Sequence, residues 1–322
     1  MKFFVPKILL LAYFLLGGCS SQNNSIQSDA LAAAVLLPNG TVSPTAVKLM
    51  EELGCVQVPT RVDHFVEAYF PHFCRKRGVE RWQMDNNFDE QKKSRCMALF
   101  AQLGFFNEVK PLQREYDYVT VLGGTLTSMR GRLGYAKKLW QQGIRFAKIV
   151  FLTSDRPLEL FENDEQLADT QQQILSIKAD WQVPTSFPKT EATLMNVLWD
   201  QADKPKDLSD VSVDIISVPM KNLGDGRTER PHTGDTLVSW LAKKPLPGRC
   251  LFISSQPFVG YQHGVIKRLM PHDFIIESVG PKTAPEKNNI AVLIDSLLRW
   301  LAFESFLCGL WDDKTLEFYL KQ

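Results

Sequence analysis

Two rhythms of apolar and polar positions divide the chain near Glu115. Upstream, the apolar residues recur with a helical period. The stretch "SPTAVKLMEELG" opens on Ser43-Pro44 and closes on Gly54, a start and a stop for one helix. In "NNFDEQKKSRCMALFAQLG" the pair Asn87 and Glu90 has capping-box spacing, and Cys96, Leu99, Phe100 and Leu103 fall on one helical face. From about Ser43 to Phe106 the pattern therefore predicts helices. Downstream, short apolar runs appear at Tyr118–Leu122, Lys148–Leu152, Asp214–Val218, Cys250–Ser254 and Phe274–Val279. Segments of helical period lie among them: Arg132–Gln142, with Leu133, Ala136, Leu139 and Trp140 on one face and Gly143 as the stop, then Glu191–Ala202, Gly234–Lys243, Gly260–Met270 and Asn289–Leu307. Strand and helix in alternation predict an α/β fold, a doubly wound, mostly parallel Rossmann-like sheet preceded by a helical N-terminal segment. Such sheets bind ligands beyond the carboxyl ends of their strands, at a topological switch point. The loops after Leu122, Leu152, Val218 and Ser254 are expected along that one edge.

The beginning of the chain predicts an address. "MKFFVPKILLLAYFLLGGCSSQ" has Lys2 and Lys7, an apolar core from Ile8 to Leu16, and then Gly17, Gly18 and Cys19. The apolar run is shorter than the roughly 20 residues that span a bilayer. Leu16–Cys19 looks like a bacterial lipobox, so Cys19 is expected to become an acylated N-terminus that holds the protein on a membrane. Ser20, in place of Asp, favours the outer membrane where the host has one, with the domain facing the periplasm. The expected organisation is a lipoprotein signal peptide (1–18), a lipidated N-terminus and tether (19–42), a helical segment (43–110), the Rossmann-like domain (111–308) and a C-terminal tail (309–322).

Charge and cysteine content narrow the partners. With 37 basic against 36 acidic side chains, no overall field attracts nucleic acid. Cys55, Cys74, Cys96, Cys250 and Cys308 form no C-x-x-C, and no His/Cys spacing resembles a metal site, so neither a metal nor a redox pair is expected. Buried single cysteines fit best, and one or two disulfides also fit. His64 and His72 lie among aromatics without a third ligand nearby and read as the rim of a packed helix.

The chemistry-bearing residues gather at the predicted strand ends. In "VLGGTLTSMRGR" the first strand stops at Gly123 and Gly124. Thr125, Thr127 and Ser128 offer hydroxyls, Arg130 and Arg132 offer planar forks for an anion, and a helix N-terminus follows. The spacing is neither G-x-G-x-x-G nor a Walker A loop, so no nucleotide cofactor is implied, and a plain turn explains the stretch equally well. A long charged loop, Pro219–Thr236, brings Asp225, Arg227, Arg230, His232, Thr233 and Asp235 to the same edge, with a solvated loop and a Thr233 N-cap as the plainer reading.

The order "VLGG", an arginine, "YAKKLWQQG", a second strand, "TEATLM", a Thr-containing helix start and an "ISS" strand end resembles the YdcF/SanA/ElyC type of bacterial envelope protein over Tyr116–Gly280. The resemblance implies a Rossmann-like domain in which Gly123 and Gly124 match the glycine pair, Arg132 the arginine at the helix start, Glu191 with Ala192 the Glu-Ala pair, and Thr233 with Asp235 the Asn-Thr-x-Glu-Asn helix start. His232 stands where the family has Asn, with Asp235 and Thr236 replacing its Glu-Asn. "ISSQPFVGYQHG" has Phe258 and Tyr261 where family members carry a His and an Arg. The expected ligand contacts are Gly123, Gly124, Thr125, Arg132, Glu191, Arg230, His232, Thr233, Asp235 and Ser255, around a small anionic, phosphate-bearing or nucleotide-like molecule in envelope maintenance. Two alternatives stand beside it: a non-catalytic binding or scaffold lipoprotein, and a phosphoester or acyl hydrolase using Ser254 or Ser255 with His232 or His263. The hydrolase has no G-x-S-x-G elbow.

Overall fold

The structure, a computed structural model, describes residues 31–321 except 86, 164–166, 168–174, 183 and 225. The signal peptide, Cys19 and the tether up to residue 30 lie outside the described residues, as does Asp225. Before the sheet the chain forms α1 (Pro44–Glu52), α2 (Val62–Phe73) and α3 (Glu90–Gln102). Ser43 caps α1 by accepting from the Ala46 N–H, with Pro44 in the first turn, and Gly54 ends it at φ +94°. The cap of α3 is Asp89, which accepts from Lys92 N at 2.8 Å, and not Asn87, which bonds back to Asp85. Two acceptors within three residues compete there, and the carboxylate takes the helix.

The central sheet has five parallel strands in the order β3-β2-β1-β6-β7: β1 (Glu115–Leu122), β2 (Arg145–Ser154), β3 (Ser212–Val218), β6 (Arg249–Ile253) and β7 (Ile275–Val279). A small antiparallel hairpin, β4 (Lys221–Asn222) with β5 (Thr228–Glu229), follows β3. The chain travels outward from β1 to β3, then crosses to β6 and β7 on the other side. The switch point thus lies between the carboxyl ends of β1 and β6. Crossovers are α4 (Leu126–Gln141), then α5 (Glu191–Gln201) with the single turn α6 (Lys206–Ser209), then α7 (Thr233–Leu241) and α8 (Val259–Leu269). The chain closes with α9 (Ile290–Leu307) and α10 (Asp313–Lys321).

Alternation along the strands explains the two layers. Val119, Val121, Ile149, Phe151, Leu251 and Ile253 point into one core with α4 and α5. Leu122, Val150, Leu152, Ile216 and Phe252 point into the other, with Leu237 and Trp240 of α7 and Ile266 of α8. A third core joins α1, α2 and α3 to α9 and α10, with Phe65, Phe70, Phe100, Leu297 and Leu301 buried. Cys96, Leu99, Phe100 and Leu103 indeed share its apolar face, while His64 and His72 are exposed. Cys55, Cys74, Cys96, Cys250 and Cys308 are all free thiols. No helix among the described residues is long and apolar enough to cross a membrane.

Candidate functional site

At the end of β1 the Gly123 N–H continues the ladder to Leu152 O at 2.7 Å. A side-chain carbon at Gly123 would overlap Glu191 Oε1 and stand 2.9 Å from the Leu152 carbonyl; one at Gly124 would meet Arg132 Nη1 at 3.2 Å. The glycine pair is therefore required by the chain's own side chains, which pack directly on this backbone. Thr125 is the N-cap residue of α4 but its hydroxyl bonds Ser128. The cap comes instead from Glu162, whose Oε1 accepts from Leu126 N at 2.8 Å. Arg156 holds that carboxylate at 2.9 Å, reaches Glu191 Oε2 at 3.2 Å and donates to Gly124 O at 3.0 Å. Glu191 Oε1 also accepts from Ser154 N at 3.1 Å. The positive end of α4, expected to receive a ligand anion, already holds a carboxylate of the protein.

Arg132 departs from the expected helix start, because α4 begins at Leu126 and places it in the second turn. It is 3% exposed. Its Nη1 donates to Leu122 O at 2.9 Å and to Gly123 O, and its Nη2 to Ser255 Oγ at 3.3 Å, so the guanidinium bridges the ends of β1 and β6 at the switch point. Its Nε has no partner, and among the described residues no carboxylate pairs with it. Glu191, the carboxylate whose charge acts on Arg132, is bonded to Arg156. Burial lowers Arg132 to about 10, and the nearby Arg81 charge adds to the effect.

Arg81 is the residue that reading the sequence missed. A short 3-10 turn, Arg81–Gln83, follows Glu80, whose N–H donates to Gln83 Oε1 at 2.7 Å. The turn carries the Arg81 guanidinium to 4.0 Å from the centre of the Phe258 ring. Phe258 closes the turn that begins at Ser255, through Phe258 N to Ser255 O at 2.9 Å. Both arginines thus meet the same turn beyond β6. Arg81 makes no hydrogen bond or ion pair through its guanidinium among the described residues, its Nε is buried and unpartnered, and burial lowers it to about 10. Asp295, the carboxylate that most offsets the Arg81 charge, is engaged by Arg299 at 2.8 Å and by Arg75 N at 2.9 Å. The only local signal was the basic run around "RKRGVERW", which reads equally as a solvated face.

The other expected residues share the edge but are committed. Arg230 pairs with Glu80 at 3.0 Å, and Arg77 grips Glu229 through two bonds of 2.8 and 2.7 Å, so the β4–β5 hairpin leans on the N-terminal segment. His232 caps α7 and its N–H donates to Asp235 Oδ2 at 2.8 Å, while Asp235 also binds Lys221 at 2.7 Å. Ser254 donates to Gln262 Oε1, and Gln262 Nε2 reaches Thr233 Oγ1 at 3.4 Å, joining the loop after β6 to the start of α7. Thr233 and Gly124 thus lie at one edge of the sheet. His263 is buried, shares a bond of 2.9 Å with Ser278 and is held near 4, chiefly by burial. Among the described residues neither Ser254 nor Ser255 is bonded to a histidine. Arg130, the other fork of the opening motif, turns to Leu167 O and Gln201.

No group of His, Cys, Asp and Glu among the described residues could hold a metal ion. A cavity of about 410 Å³ opens at the opposite edge of the sheet, among Glu115, Asp117, Arg145 and Arg249. It lies away from the switch point. Comparison of the chain with protein-family models, curated proteins and solved structures finds no match.

Proposed function

We propose that this chain is a bacterial envelope lipoprotein whose YdcF/SanA-like α/β domain binds a small phosphate-bearing anion at the switch point, in cell-envelope maintenance. The observation that supports it is Arg132: a guanidinium buried between β1 and β6 whose charge no carboxylate pairs. Burying an uncompensated charge is costly, and an anion would relieve the cost. Ser255, Gly123 and Gly124 line the same place, whereas Glu191, His232 and Asp235 support it from behind their own bonds. The test is thermal unfolding of the chain against inorganic phosphate, pyrophosphate and phosphate esters. A ligand at 100 times its dissociation constant adds about 2.7 kcal/mol. Absence of any phosphate-dependent rise in Tm would refute the reading.

Binding without turnover is favoured over hydrolysis, because Ser254 is bonded to Gln262, Ser255 faces Arg132 and His263 is turned to Ser278. Membrane attachment belongs to the same proposal and rests on Leu16–Cys19. Cys19→Ser should stay unprocessed and take up no palmitate label; normal labelling of that variant would end the lipoprotein reading.

A further inference from the structure

We infer that Arg81, delivered by the helical N-terminal segment, and Arg132 form a two-guanidinium clamp that selects a doubly charged terminal phosphoryl group over singly charged phosphodiesters. The inference rests on the anion-binding reading above and adds the class of ligand and a second element of the site. Arg132 Nη2 touches Ser255, Arg81 stacks on Phe258, and these residues begin and end one hydrogen-bonded turn. The ends of such a turn lie within about 7 Å of each other. Two positive charges thus converge on one short stretch of backbone, each with a buried unpartnered Nε.

The neighbouring carboxylates cannot balance them. Glu162 and Glu191 are taken by Arg156, Asp295 by Arg299, and Glu80 lies between Arg230 at 3.0 Å and Arg75 at 3.8 Å. Two neighbouring, mutually repelling cations, Arg132 buried and Arg81 half-buried, are matched by a ligand carrying two negative charges in a compact group. A phosphomonoester carries about −1.5 to −2 at pH 7, with a second pKa near 6. Its oxygens suit the planar forks of both arginines. The occupied N-terminus of α4 points the same way, since Glu162 denies that helix end to the bridging phosphates of a dinucleotide.

The experiment measures binding of glycerol 3-phosphate, a monoester, and dimethyl phosphate, a diester with a single charge, to the full chain and to Arg81→Gln and Arg81→Lys. In the wild type the monoester should bind at least tenfold more tightly, and its affinity should fall as the pH drops below about 6, where the phosphoryl group takes up a proton. Arg81→Gln should weaken the monoester far more than the diester, collapsing the tenfold preference, and should abolish that pH dependence. Arg81→Lys, which keeps charge but loses the fork, should fall between. Because the Arg81 guanidinium makes no hydrogen bond and only its stacking on Phe258 would be lost, Arg81→Gln should unfold within roughly a few degrees of the unliganded wild type, which separates a binding defect from a folding defect. Wild-type monoester affinity in Arg81→Gln would overturn the clamp and leave the crevice site standing. Failure of every phosphate compound to bind the wild type would overturn both.

Discussion

A methyl group added at Gly123 would compete for space with Glu191 and with the Leu152 carbonyl, and the carbonyl belongs to the ladder and cannot yield. Gly123→Ala should lose about 1 to 3 kcal/mol in urea unfolding. Gly124→Ala should lose less, since its contacts with Arg132 Nη1 and Ser128 Cβ, at 3.2 and 3.3 Å, are tight without overlapping. His263 sets a pH dependence. In the fold its ring takes a proton only near 4, against 6.5 for the free side chain, because burial, helped by Lys267, disfavours the cation. Between those values the unfolded chain binds a proton that the fold refuses. Stability present above pH 6.5 should therefore decline as the pH falls toward 4, by up to about 1.4 kcal/mol per unit. Urea midpoints measured across that range should show the decline, and His263→Gln should flatten it. At this scale the sequence was half legible. The glycine pair and Arg132 could be picked out because they adjoin a strand end. Arg81 could not, because nothing local ties a turn in a helical segment to a loop beyond β6.

The start of α4 shows why element boundaries were harder to read than elements. The five strands of the central sheet and the helices α4, α5, α7 and α8 were legible from their apolar period, which the sheet imposes on each segment by itself, whereas the β4–β5 hairpin and the single turn α6, too short to carry a period, were not. The first turn of α4 was not: Thr125 of "TLTSM" is a favoured N-cap type but turns its hydroxyl to Ser128, and the cap that forms, Glu162, arrives from beyond β2. That carboxylate is fully buried, caps Leu126, accepts from Glu159 N at 2.9 Å and pairs with Arg156. Glu162→Gln should cost about 3 to 5 kcal/mol by leaving Arg156 short of a buried partner. Glu229→Gln, which breaks the half-exposed pair with Arg77 at the hairpin, should cost under about 1 kcal/mol. Equal losses in chemical denaturation would show that the network around Arg156 does not hold the strand ends together.

Across the whole molecule, the helical N-terminal segment and the last long helix share one core, although the sheet separates them in sequence. Arg75 N bonds Asp295, and Arg299 Nη2 donates to Arg75 O at 3.0 Å. A chain begun at residue 111 would bare the face of α9 that covers Phe65, Phe70 and Phe100. It should bind a hydrophobic dye or aggregate, where the intact chain should do neither; a soluble, cooperatively unfolding fragment would contradict this. The same closure has a consequence in time. During synthesis the first helices emerge long before α9 exists, so their apolar faces wait unpaired while the sheet is being made. Contacts spanning more than two hundred residues close slowly against chain entropy. A polypeptide that cannot finish its first core until its last long helix is released stays open for most of its production, the condition in which a threading channel can still accept it.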